Sequence, residues 1–264
     1  MTNPTVDKPT ITLVYITYRK DFEWLEYSLQ SYKKYCTGFK QVFIIVPDED
    51  VQMFLPLEKQ YGVWIKNYKE FPGLGMIHHE LHVCYSDTWV QDSDYIAHMD
   101  PDNLFTEPYD AHKELLKDNN KSIVVARKYA TIGIHPVQNW KRASQDMLNI
   151  ECPYETMQTM PIAYPRWLYR AARNRVEQVH KCPFETYVMH QKNSFPQTMV
   201  EFPLLGAWAL HQFPQEFHLV DIDISGEHIR KTHQFWSHAR ADSDNVEHRH
   251  LYHANIQKAK SIVQ

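Results

Sequence analysis

Glycine is scarce in this chain, with 7 among 264 residues. Phosphate-cradling loops depend on it, because a Cβ would keep the backbone from the phosphate. Neither GxGxxG nor GxxxxGK[ST] occurs, which excludes the common dinucleotide and P-loop readings. The four cysteines, Cys36, Cys84, Cys152 and Cys182, stand far apart without CxxC spacing. They read as reduced, structural thiols of a cytoplasmic protein. No apolar run approaches the roughly 20 residues of a membrane span. Residues 1–9 (MTNPTVDKP) lack the apolar stretch of a signal peptide, so the expected location is the cytoplasm. Charge bias is small as well. A formal net charge of -4 gives no global attraction to nucleic acid or anionic membranes, although it allows a local basic patch.

Aromatic residues and histidine are abundant: 16 Tyr, 12 Phe, 7 Trp and 16 His. In so His-rich a chain, any single histidine is more often surface or core than metal ligand. Runs of β-branched and apolar residues predict strands at 11–16, 42–46, 63–65, 95–99 and 122–126. Helices are expected from Asp21 (a plausible N-cap), over 51–61 despite Pro56, over 76–90 and over 165–180. This alternation predicts an α/β fold with a mostly parallel sheet. The strand pattern weakens after 127. The expected organisation is one domain, with a nucleotide-binding half over about 9–126 and an acceptor-side half over about 127–264. Ligands of such sheets sit beyond the carboxyl ends of strands, where both Thr17–Asp21 and Asp100–Asp102 fall.

Asp100-Pro101-Asp102 follows an apolar strand and precedes Asn103-Leu104-Phe105-Thr106-Glu107-Pro108. Two carboxylates one residue apart at a strand mouth suit a hard divalent cation, Mn²⁺ or Mg²⁺, that keeps open positions for phosphate oxygen. Such an ion offsets charge on a diphosphate leaving group. A second DxD, Asp92-Ser93-Asp94, precedes the same strand and is expected to be a solvated turn at the wrong end of the sheet.

Ile11 to Asp21, Val46-Pro47-Asp48 and Tyr95 to Pro108 together resemble the GT-A glycosyltransferases, and within them a bacterial and phage branch with an Asp-x-Asp-x-x-Phe motif. The likeness is good over roughly 11–110 and holds only in outline beyond. It implies a Rossmann-like nucleotide-binding half, a UDP-linked sugar donor and Mn²⁺ or Mg²⁺. Thr17, Tyr18, Arg19 and Asp21 match the first-strand loop at the base and ribose, and Asp48 matches the end of the second strand. Asp102 matches the metal-binding acid, with Asp100 beside it. A C-terminal histidine often completes the metal shell in this family. Of His228, His233 and His238, the expectation falls on His233 or His238. Glu201 matches the acid that opens the acceptor-side helix, and it is a candidate general base for an inverting transfer.

Other features carry competing meanings. His78 and His82 are spaced i, i+4 as zinc ligands would be, yet His78-His79-Glu80-Leu81-His82 departs from the metalloprotease pattern. Arg166, Arg170 and Arg173, interleaved with Trp167 and Tyr169, form the one concentrated basic helix. They read as a solvated face or as the seat of an anionic acceptor such as hydroxymethylated phage DNA. The expected activity is therefore sugar transfer to a hydroxyl of a glycan, a lipid-linked precursor or modified DNA. The alternatives are a zinc-dependent hydrolase and a nucleotidyltransferase. Against the latter, Thr17-Tyr18-Arg19-Lys20 contains no glycine. The sequence leaves the sugar, the acceptor and the stereochemistry open.

Overall fold

A computed structural model describes residues 8–69, 75–133, 137–190, 200–226, 231–235 and 245–264. Its centre is a five-stranded sheet. Strand β1 (Ile11–Ile16) lies between β2 (Gln41–Pro47) and β4 (Tyr95–His98), and β3 (Trp64–Tyr68) flanks β2. These four strands run parallel, as expected. An antiparallel strand at Ile162–Pro165 closes the β4 edge, with Ile162 opposite His98 and Pro165 opposite Tyr95. All six residues of β1 are buried. Burial on both faces is why its β-branched run does not alternate with polar residues.

Helix α1 (Phe22–Tyr35) follows β1 after a short 3₁₀ turn, Arg19–Asp21. Asp21 is not its N-cap acceptor, because no side-chain hydrogen bond caps this helix. The helix expected over 51–61 splits into an α turn, Val51–Phe54, and a wider π-type turn, Glu58–Gly62. Pro56 lies between the two and has no N–H to continue the ladder. Helix α2 (Gly75–Cys84) and a separate turn, Ser86–Trp89, replace the single helix expected over 76–90.

The sequence pattern under-reads the second half. Helices α3 (Gln138–Leu148), α4 (Arg166–His180), α5 (Glu201–Gln212) and α6 (Val246–Val263) stand where one clear helix was expected. A strand at Phe217–Asp221 pairs in parallel with Lys121–Lys128, and a short one, Tyr154–Glu155, pairs antiparallel on its other side. Helix α5 is buried around most of its circumference, so it lacks the one-sided periodicity that reveals a surface helix. Its close seat on Thr156 requires glycine. A Cβ at Gly206 would lie 2.2 Å from Thr156 Oγ1, which itself donates to the Phe202 carbonyl at 3.1 Å.

The chain after α5 returns to the front of the sheet. Thr232–Gln234 pairs antiparallel with Asn103–Phe105, placing His233 opposite Leu104. Helix α6 then packs on α1 through Trp24, Phe235 and Ile256.

Candidate active site

The order β3-β2-β1-β4 reverses direction at β1, and the crevice beyond the carboxyl ends of β1 and β4 is the expected ligand position in such a sheet. Residues from three separate segments converge there. Asp21 comes from the turn after β1, Asp100 and Asp102 from the turn after β4, and Glu201 from the first turn of α5. Asp21, Asp102 and Glu201 are buried. Burial pushes the Asp100 carboxyl up to about 8, with Asp102, Glu201 and Asp21 adding repulsion in that order. The structure thus brings together four of the acids singled out in the sequence.

The aspartate turn is anchored at both ends. Met99 N–H donates to the Val14 carbonyl at 3.1 Å, and Asn103 N–H donates to the Asp100 carbonyl at 3.1 Å. Phe235 N–H donates to the Asp102 carbonyl at 2.9 Å. The decoy acids sit at the opposite, amino-terminal edge of the strands. There Asp94 accepts from the Thr10 N–H and hydroxyl, while Asp92 pairs with Lys40. Asp92 and Asp94 are both exposed, as expected of a solvated turn, and Asp94 also ties the starts of β1 and β4 together.

Thr17 N–H continues the sheet by donating to the Ile45 carbonyl at 3.0 Å, and its buried hydroxyl has no hydrogen-bond partner. A buried polar atom of this kind is ordinarily satisfied, by protein, water or ligand. Tyr18 stands exposed beside it. Arg19 is committed within the protein, since its Nε lies 2.7 Å from Asp50 Oδ1 and its guanidinium also meets Glu49. Buried Asp50 additionally accepts the Arg19 N–H at 2.7 Å. It therefore fastens the loop after β1 to the loop after β2, a role the sequence reading missed. The signal available was the acidic run Asp48-Glu49-Asp50 opposite a lone arginine. Asp48 is exposed and accepts from Asn67 Nδ2 at 2.5 Å.

Helix α2 supplies the other missed groups. Glu80 is buried, and His79 Nε2 lies 3.8 Å from Glu201 Oε1. Desolvation lowers the His79 imidazole from its usual value, although a third of its side chain stays exposed beside Glu201. The sequence signal was Glu80 standing at an apolar position of the series Ile77, Glu80, Leu81, Cys84. His78 and His82 instead belong to an aromatic layer. The His82 ring centroid is 3.9 Å from that of Tyr68 and 5.5 Å from that of Trp89.

Of the C-terminal histidines, His228 and His238 lie outside the described residues. His233 is brought to the strand beside the aspartate turn. Its Nε2 accepts from Lys258 Nζ at 2.9 Å, and its ring packs edge-on against Phe235. The basic helix divides. Arg166 and Arg170 are exposed, but Arg173 is buried, with Nη1 and Nη2 at 2.6 and 2.9 Å from the two Asp87 oxygens. Arg173 therefore belongs to the core and not to an acceptor surface.

A divalent cation fits the donor chemistry. The turn offers two carboxylates in a crevice where acidic groups repel one another, and oxygen-rich, partly hydrated coordination suits Mg²⁺ or Mn²⁺. Among the described residues, no three His, Cys, Asp or Glu side chains already form a metal-binding group. The remaining positions would fall to phosphate oxygens and water.

No protein-family model matches the chain, and no curated protein matches its sequence. Solved structures do. Two of glycosyltransferase GlyE from Streptococcus pneumoniae TIGR4, one of them the apo-form, align over 96% and 97% of this chain at 8% identity, with TM-scores of 0.47 and 0.45. This chain spans 62% of the length of those structures. A 4-diphosphocytidyl-2C-methyl-D-erythritolsynthase from Anaerococcus prevotii DSM 20548 aligns over 95% of this chain and 100% of its own, at 12% identity and a TM-score of 0.49.

Proposed function

We propose that this protein is a metal-dependent glycosyltransferase of GT-A type that moves a hexosyl or pentosyl group from a UDP-linked sugar to a hydroxyl acceptor. The observation that carries the reading is the convergence of Asp21, Asp100, Asp102 and Glu201 at the switch point of the sheet. These acids repel one another in a partly buried crevice, and a bound cation would relieve that repulsion. A nucleotide diphosphate brings one with it.

In this account the loop 17–21 receives base and ribose, with Thr17 Oγ1 as an available polar contact. Asp100 and Asp102 would hold Mn²⁺ or Mg²⁺, and the ion supplies Lewis-acid neutralisation of the diphosphate as the sugar–phosphate bond breaks. Glu201 opens α5, where unpaired backbone N–H groups favour a carboxylate. In an inverting transfer it accepts the proton of the acceptor hydroxyl while the oxygen attacks the anomeric carbon.

The geometry favours a glycan or lipid-linked hydroxyl over a DNA base. Arg166, Trp167 and Arg170 begin α4 at the level of Tyr95, beside Ser93 and Asp94. Asp100 lies five residues further along, roughly 16 Å away at about 3.3 Å per strand residue. The exposed basic patch therefore sits at the other end of the sheet. Among the described residues no helix is long and apolar enough to cross a membrane.

The test is incubation with a panel of nucleotide sugars and Mn²⁺, with and without saccharide, lipid-linked and hydroxymethylcytosine-DNA acceptors. Slow UDP-sugar hydrolysis without acceptor, lost in a folded Asp102→Ala variant, is expected. Full activity in that variant defeats the metal assignment. Tightly bound zinc in the purified protein would favour a hydrolase instead.

A further inference from the structure

Arg166, Trp167 and Arg170 take no part in the transfer just described, yet they line a cleft of about 790 Å³, a size usual for small-ligand sites. One wall is α4, which adds Asn174 to these three. The other is the turn Ser86–Trp89, with Gln91 just beyond it. The cleft opens at the amino-terminal edge of the sheet, away from the Asp100–Asp102 turn.

Its charge is of one sign. Asp87 is the one acid among the lining residues, and buried Arg173 engages both of its oxygens. Arg166 is held in place, because its N–H donates to the Asp94 carbonyl at 2.9 Å and its Nε donates to the Ser93 carbonyl at 3.2 Å. Among the described residues, nothing pairs with its two Nη groups or with the Arg170 guanidinium. Residues four apart on a helix stand about 6 Å from each other at Cβ. Two guanidinium groups so spaced, with no acid left to answer them, attract an anion locally even in a chain of net charge -4.

The aromatic component is equally specific. Trp167 is 45% exposed, but its ring is not loose. It meets Phe213 edge-on with centroids 4.8 Å apart and leans on Phe217 at 6.4 Å. A ring fixed at its edge and open to solvent is a stacking platform. Exposed Asn174 and Gln91 add amide groups beside it. A pyranose bearing an acidic group uses all three features: its C–H face lies on the indole, its hydroxyls meet the amides, and its anion meets the arginines. Single-stranded nucleic acid is matched by a basic groove with successive aromatic platforms, whereas this cleft offers one ring and two guanidinium groups.

We propose that the cleft is a second ligand site, which takes a sugar carrying a phosphate or a carboxylate, with Trp167 under the ring and Arg166 and Arg170 on the anion. It is separate from the aspartate crevice and does not depend on the function proposed above.

Calorimetric titration of the full chain with glucose 6-phosphate, N-acetylglucosamine 6-phosphate and glucuronic acid tests it, each with and without UDP and Mn²⁺. At least one of the three should bind about tenfold or more tighter than either glucose or inorganic phosphate alone. UDP with Mn²⁺ should leave that affinity unchanged. Arg170→Ala should weaken it about tenfold or more, the size of a lost hydrogen bond to a charged group. Trp167→Leu, which keeps an apolar contact with Phe213 and is checked for native unfolding, should weaken it as well. Binding by none of the three, equal binding of glucose or phosphate, or affinity unchanged in both variants would overturn the proposal. Displacement by UDP and Mn²⁺ would move the sugar to the aspartate crevice and overturn it too. A thymidine oligonucleotide that binds more tightly than the sugars, and is lost in Arg170→Ala, would reassign the cleft to nucleic acid. Failure of UDP to bind bears on the transfer reaction alone and leaves this result readable.

Discussion

Phe235 N–H donates to the carbonyl of Asp102 at 2.9 Å, so a residue near the C-terminus holds the backbone of the turn proposed to bind metal. The Phe235 ring stacks on Trp24 of α1 with centroids 5.5 Å apart. The aspartate turn is thereby clamped between the sheet and the α1–α6 pair. Phe235→Ala should destabilise the protein by about 3–5 kcal/mol, as for other buried aromatics. It should also weaken Mn²⁺-dependent UDP binding under conditions where the variant is still folded. Denaturant unfolding and calorimetric titration check the two effects separately. Unaltered binding would mean that the clamp does not position the turn.

Gly206 tests the seat of α5. A methyl group there meets Thr156 in a tightly packed contact, and overpacking of this kind costs about 1–3 kcal/mol. Gly206→Ala should therefore lower the unfolding midpoint. Because Glu201 lies one and a half turns before it on the same helix, donor turnover should fall more than the folded fraction does. Turnover that tracks the folded fraction alone would show that the helix adjusts without moving Glu201.

Arg173 and Arg170 lie one turn apart on α4 and should behave oppositely. Breaking the buried Arg173–Asp87 pair strands a charge, so Arg173→Ala should cost about 3–5 kcal/mol. Arg170→Ala removes an exposed side chain and should stay within about 0.5 kcal/mol. Urea unfolding of the two variants measures both. Similar values would contradict the division of this helix into a buried and a solvated arginine.

Burial pushes His82 down to about 4, with His78 and His79 adding repulsion. The unfolded chain protonates it near pH 6.5. Its contribution to stability is thus full above about pH 6.5 and is lost as pH falls toward 4, at about 1.4 kcal/mol per unit. His82→Leu keeps an apolar side chain against Tyr68 and Trp89. It should therefore narrow the gap in stability between pH 7.5 and pH 5 by on the order of 1–2 kcal/mol. Unfolding curves at the two pH values decide, and an unchanged gap would show that His82 is not held neutral.

The parallel sheet was legible because β1, β2 and β4 are short apolar runs ended by polar turns. The pairing of Asp100 and Asp102 with Asp21 was legible because all three follow such strands. Periodicity showed neither α3 nor α5, although the family resemblance implied a helix opening at Glu201, where α5 begins. The buried face of α3 is made of Ala143, Ser144, Met147 and Leu148, half of them small or polar, while α5 is apolar all round. The site details that escaped are non-local. Nothing near Arg173 in the chain announces Asp87, 86 residues away, and nothing near His79 announces Glu201. Such pairs form only when helices separated in sequence pack together.

In the proposed reaction the Asp100–Asp102 turn joins a divalent cation to a nucleotide diphosphate. Titration calorimetry of UDP with and without Mn²⁺, on the native protein and on Asp102→Asn, tests it most directly. UDP should bind at least about tenfold tighter with Mn²⁺, a gain of about 1.4 kcal/mol or more, and Asp102→Asn should lose that gain with the fold intact. Equal UDP affinity with and without Mn²⁺, or the same Mn²⁺ effect in both proteins, would contradict it.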